Sequence, residues 1–176
     1  MIQDEIERTL PHGRRLPAAL RALCQYADEH GYPISGCFEL STIGMEDLRG
    51  WFRLSPSAAD DFLPFGRGAT GDVYAVWLTN EPDPERAPVV MFGSEGLLRV
   101  LASDSAEFCT LLGVGYKELG NDDESAPPVE NEAPRALREF LRKRFQVVPP
   151  HTGEEIVRVA AAAHPGFQSW VEERLP

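Results

Sequence analysis

The stretch FLPFGRGATGDVYAVWLTNEPDPERAPVVMFGSEGLLRVLASDSAEFCTLL, residues 62–112, decides how this chain folds. Apolar runs alternate with turn-forming residues, and one amphipathic segment follows them. A glycine-rich turn, Gly66, Gly68 and Gly71, lies between the first two runs. Residues 73–78 carry Val, Tyr and Trp, which suit a pleated, buried surface. Residues 80–84 break that run, because Pro82 and Pro84 cannot donate ladder hydrogen bonds. Residues 89–92 form a short continuous apolar run, 93–96 read as a hairpin turn, and 97–101 return as the next strand. Ser103 is the expected cap of a helix over 104–112.

The glycines match two phosphate-binding patterns. Gly66 to Val73 fits the kinase loop G-x-G-x-x-G-x-V, and its first six residues fit the dinucleotide fingerprint. A dinucleotide site needs a helix to start at the glycines, so that its N-terminus faces the pyrophosphate. Residues 72–78 are β-branched and aromatic, so a strand is expected there instead. A kinase loop is followed by a strand, but the next strand must carry a lysine. Residues 89–92 have none, and the chain's only lysines are Lys117 and Lys143. The glycines are therefore read as a turn that needs positive φ.

These segments resemble the SUKH superfamily, which contains bacterial immunity proteins and a fungal cell-wall-synthesis regulator. The matching residues are 62–65, then Gly68 to Gly71 with Asp72, then 74–78, 88–92, 96–102 and 103–112. Phe65, Gly68, Gly71 and Asp72 carry the motif. Leu16-Pro17 opening a helix and a strand over 36–40 also fit, so the likeness runs to about residue 115. Ala69-Thr70 replace more usual glycines, and Gly93 stands where the family often has an acid. The resemblance implies a non-enzymatic binding protein, an immunity protein that neutralises a toxin domain by occlusion and without a cofactor. A cytoplasmic regulator or scaffold is the alternative that the fungal relatives imply. A nucleotide-binding enzyme using residues 66–71 ranks behind both.

Composition bounds the partner. A chain of 176 residues, 43% hydrophobic and 26% charged, can bury one sizeable core. Its formal net charge of −11 argues against DNA or RNA, whose phosphates need clustered Lys and Arg, and against anionic membranes. The same charge favours quick encounter with a basic protein, such as a nuclease toxin with a cationic groove. Cys24, Cys37 and Cys109 are odd in number and widely spaced, which suits a reducing compartment. Cys24 and Cys109 fall in amphipathic patterns and read as small buried hydrophobes. The first residues are acidic with no apolar signal core, and no run reaches the ~20 apolar residues of a spanning helix. A cytoplasmic protein is expected.

Around the central stretch, Leu16, Leu20, Leu23 and Ala27 mark a helix from Pro17 to about His30, stopped by Gly31. Residues 45–52 read as a short helix with Met45, Leu48 and Phe52 on one face. Trp51 is off that stripe, and large aromatics of this kind are enriched at interface centres. Ser55-Pro56 opens a single turn through Asp60-Asp61. Residues 118–132 are acidic, almost without apolar content, and expected to be a mobile loop. Pro134 starts a helix whose Leu137, Phe140, Leu141 and Phe145 face the core. Its Arg135, Arg138, Arg142, Lys143 and Arg144 make it the one basic element, with the acidic loop as its expected electrostatic neighbour. Thr152 and Glu155 form a capping box for a helix over 154–163, and a last helix spans about 167–174.

No catalytic spacing emerges. The four histidines are far apart, Asp60 and Asp61 diverge whether helical or extended, and residues 93–96 are not a G-x-S-x-G elbow. Asp72, at the head of a strand, is expected to hydrogen-bond turn amides. The expected architecture is α+β: a mixed, mostly antiparallel twisted sheet with surrounding helices. It comprises a core over 1–116, an acidic loop over 117–133 and a helical C-terminal extension over 134–176. Asp60, Asp61, Asp122, Asp123, Glu124 and Trp51 are the candidate partner-binding residues, and no cofactor or metal site is expected.

Overall fold

The computed structural model of the chain describes residues 1–79 and 81–176. Asn80, which opens the expected break after the third strand, lies outside the described residues. Five strands form one open sheet: β1 Glu39–Leu40, β2 Phe62–Arg67, β3 Val73–Trp77, β4 Val89–Phe92 and β5 Leu98–Ala102. Their spatial order is their sequence order, and every pairing is antiparallel. This corrects the expectation of a mixed sheet. Parallel neighbours need a crossover of a dozen or more residues, and β2 to β5 are joined by connections too short for one. The strand expected over 36–40 shrinks to two residues. Gly36 and Cys37 instead bond to the backbone of Glu132 and Lys117.

The sheet is covered on both faces, and strand alternation sorts the side chains. Tyr74 and Val76 of β3 join one cluster, while Val73, Ala75 and Trp77 join the other. The first cluster takes Leu63, Phe65, Val89, Met91 and Leu101 from the sheet. It is roofed by α1 Ile2–Thr9, α2 Ala18–His30, α4 Ser105–Val114 and α5 Arg135–Phe145. The second takes Phe62, Val90, Phe92 and Val100, and packs against α3 Gly44–Trp51 and the C-terminal helices α6 Glu154–Ala163 and α7 Phe167–Glu172. The last two helices are thus a layer of the sandwich. Because both faces are dry, β3 and β4 read as unbroken apolar runs, VYAVW and VVMF, where a half-solvated strand would alternate.

Several local expectations change in detail. Asp104, not Ser103, caps α4: its Oδ1 accepts from the Glu107 amide at 2.8 Å, and Glu107 reaches back to the Ser103 amide at 3.2 Å. The Thr152–Glu155 box does not form. Gly153 is the cap residue of α6 and no side chain accepts from that end. Trp51, off the stripe of α3 by sequence, lies half-buried, its ring edge-on to Phe92 at 5.2 Å. Cys24 and Cys109 are buried as expected, and burial pushes the Cys24 thiol up to about 12.

His164 ends α6 with its ring toward Trp77, 6.4 Å between centroids, and burial holds its pKa below the ordinary 6.5. The fold therefore prefers the neutral ring. Its contribution is fully present above 6.5 and is lost as pH falls below that value, through the lowered folded pKa. Substituting His164→Gln is expected to flatten part of the decline in urea midpoint between about pH 7 and pH 5. Equal slopes for the two proteins would remove His164 from the acid response.

Candidate functional site

The glycine turn joins β2 to β3 as a hairpin, so the strand after Gly71 is real and no helix starts there. Of the three glycines only Gly71 takes the left-handed conformation, φ 86°. Gly66 and Gly68 are instead required by close approach, of the Phe38 ring and of the Asp72 carboxylate. The Gly68 amide bonds to the Asp72 carbonyl at 3.0 Å and the Gly71 amide to Gly68 at 3.3 Å. These amides are used within the turn, and a carboxylate sits beside them.

Asp72 does something the sequence did not announce. It is 1% exposed, and its carboxylate accepts from Thr70 Oγ1 at 3.1 and 3.2 Å, the Ser94 amide at 3.3 Å and Asn121 Nδ2 at 3.2 Å. One side chain thus ties together the β2–β3 turn, the β4–β5 turn and the acidic segment. The expected bond to a turn amide is made, and its donor is Ser94 of the neighbouring β4–β5 turn.

The acidic segment is built as a closed loop. Its ends meet where the Glu132 amide bonds to the Gly115 carbonyl at 2.8 Å, so residues 115–132 form an Ω-like excursion from the end of α4. Side chains from two strands grip it, and its own Tyr116 ties it to the α6 cap. Tyr74 of β3 donates to the Leu119 carbonyl at 2.6 Å. Arg99 of β5 donates to the Gly120 carbonyl at 2.7 Å and makes a two-pronged pair with Glu124, at 2.8 and 3.0 Å. The Tyr116 hydroxyl donates to the Ala126 carbonyl at 2.6 Å and accepts from the Gly153 amide of the α6 cap at 3.0 Å. Gly120, at φ 88°, lies so close to Met91 that an added methyl would run into its sulfur.

These contacts sort the candidate acids. Glu124 is 7% exposed and its carboxylate is spent on Arg99, so it is not displayed with its neighbours. Asp123 is exposed, and hydrogen bonds from the Ser125 hydroxyl and amide hold its carboxyl below the ordinary range. Asp122 is half-exposed and accepts from the Glu118 amide at 3.0 Å. Beside them a groove of about 360 Å³ is lined by Tyr116, Pro127, Pro128 and Val129, with Asp122, Asp123, Glu130 and Glu132 as its acids and Lys117 as its one cation. Glu130 and Glu132 were not singled out by sequence; loop closure at Gly115 brings them back to Asp122.

Asp60 and Asp61 lie elsewhere, at the end of a 3-10 turn over Pro56–Asp61. Asp60 faces His12 at 3.7 Å across an exposed contact. Burial pushes the Asp61 carboxyl up, and the Arg174 charge draws it back. Neither residue joins the loop groove, and Trp51 belongs to the opposite-face cluster. The expected pairing of the acidic loop with the basic helix is absent among the described residues. Arg135 pairs with Glu139 of its own helix and Arg138 donates to the Ala133 carbonyl. Among the described residues no group of three His, Cys, Asp or Glu is placed to hold a metal ion, and no helix is long and apolar enough to cross a membrane.

Comparison with family models, curated proteins and solved structures finds no match.

Proposed function

We propose that this chain is a non-enzymatic binding protein, an immunity protein that neutralises a basic toxin domain by covering it with the Ω-like acidic loop. The observation that carries the reading is the groove beside Tyr116 and Val129, where four carboxylates face a single lysine on a loop gripped by two strands and tied to the α6 cap. A loop ordered in advance loses little freedom on docking, so its charge is converted into affinity more fully. Acids at the rim also raise the encounter rate with a cationic surface. The likeness of residues 62–112 to the SUKH superfamily supplies the class of partner. A protein of this kind acts in the cytoplasm beside its toxin.

The test uses the purified product of the neighbouring gene, which this reading expects to encode a basic toxin domain. Reversing Asp122→Lys and Asp123→Lys is expected to slow association by roughly tenfold at low salt and to flatten its salt dependence, with dissociation changed less. Glu124 is left intact, because its loss would disturb the loop itself. An unchanged on-rate would remove the groove from the interface. A phosphate ligand of the glycine turn is tested separately by calorimetry with ATP and magnesium, where no heat of binding is expected.

A further inference from the structure

A second groove, of about 420 Å³, runs between α2 and α5, with Ala22, Tyr26, Ala136 and Phe140 as its apolar floor. The Tyr26 and Phe140 rings lie 5.1 Å apart. Of its two acids, Glu139 is paired with Arg135 at 3.3 Å, while Glu29 accepts from the neutral Gln25 amide at 2.9 Å and keeps its charge, one free acid against the groove's two free cations among the described residues. Lys143 and Arg144 also line it and, like Arg142 beside them, have no carboxylate partner among the described residues. The groove therefore asks for an apolar side chain flanked by acids.

The same chain presents that shape. Val129 stands fully out of the surface, followed by Glu130 and Glu132 and preceded by Pro127-Pro128. The prolines fix the backbone of this knob, so little freedom is lost when it docks. We propose that the α2–α5 groove receives the Val129 knob of a second copy of this chain, with Glu130 and Glu132 against Lys143 and Arg144. Knob and groove are near neighbours, since α5 starts just after the knob and rises only about 14 Å to its cations. Two copies can therefore exchange knobs about a two-fold axis, each giving and receiving the same contact. At physiological salt the Debye length is about 8 Å, so the local attraction survives while the overall negative charge of the two copies is screened.

Val129, Glu130 and Glu132 also line the groove offered to the partner, so self-association and partner binding exclude one another. Sedimentation velocity on the chain alone tests self-association without that partner, so the two readings fail separately. Over roughly 10–500 µM, the range suited to a contact smaller than a standard interface, the sedimentation coefficient should rise from monomer to dimer. The swaps Lys143→Glu with Arg144→Glu, and Glu130→Lys with Glu132→Lys, should each weaken association by about tenfold or more. Mixing the two swapped proteins should restore a mixed dimer, because each contact regains opposite charges. Far-ultraviolet circular dichroism confirms that both variants fold, as expected for surface residues. A monomer at every concentration, or a dimer indifferent to both swaps, overturns the proposal.

Discussion

Replacing Phe62→Ala is expected to destabilise the fold by about 3–5 kcal/mol, a large share of a typical domain's stability. Phe62 is fully buried and sits where four rings converge: Phe92 at 5.1 Å, Trp170 at 5.6 Å, Phe52 at 5.8 Å and Phe167 at 6.4 Å. These rings come from β4, α7 and the end of α3, so none can move inward to fill the space without dragging its element. Collapse is then poor, which puts the cost at the upper end of its range. Phe62→Leu, which keeps most of the volume, should cost less than half as much. Urea unfolding followed by tryptophan emission measures both, since Trp77 and Trp170 line the same cluster. A loss under about 1 kcal/mol for the alanine variant would mean that the C-terminal helices do not depend on this face of the sheet.

Arg99→Ala is the second large effect, at about 2–4 kcal/mol. Breaking a buried pair by removing one partner strands the other charge, which usually costs about 3–5 kcal/mol. Arg99 is itself 25% exposed, so water offsets part of that penalty. The variant also releases the Gly120 carbonyl, so the loss should concentrate in the loop: amides over 119–126 should exchange faster while those of β3 hold. Arg99→Met combined with Glu124→Leu should recover most of the stability, since the stranded charge is gone. Equal exchange in the variant and the parent protein would show that the loop is held without the pair. Tyr116 and Asp72 would then be its anchors.

Much of this architecture could be read from local chemistry. Prolines and glycines placed the breaks in the central stretch, and the continuous apolar runs VYAVW and VVMF marked strands whose faces are both dry. The hairpin at Gly71 followed from the β-branched and aromatic residues after the glycines, which favour a strand over a helix. Helix ends were less legible. Asp and Ser are both good capping residues, and only the geometry of the turn selects Asp104 over Ser103.

The sequence by itself determined the alternation of strand and turn and the surplus of acid, because these follow from local composition along the chain. The fully antiparallel order of the sheet emerged only from the pairing of its strands. The tertiary structure alone decided which acids face water. Glu124 and Asp123 are adjacent and chemically alike, yet one is clamped by an arginine 25 positions away and the other accepts from Ser125, two positions on. It also decided that the last two helices form the second layer of the sandwich and that Asp72 joins three loops. Those outcomes turn on contacts between residues far apart in the chain. Spacing does not encode such contacts, because many partners of the same chemistry compete for each one until the core has closed.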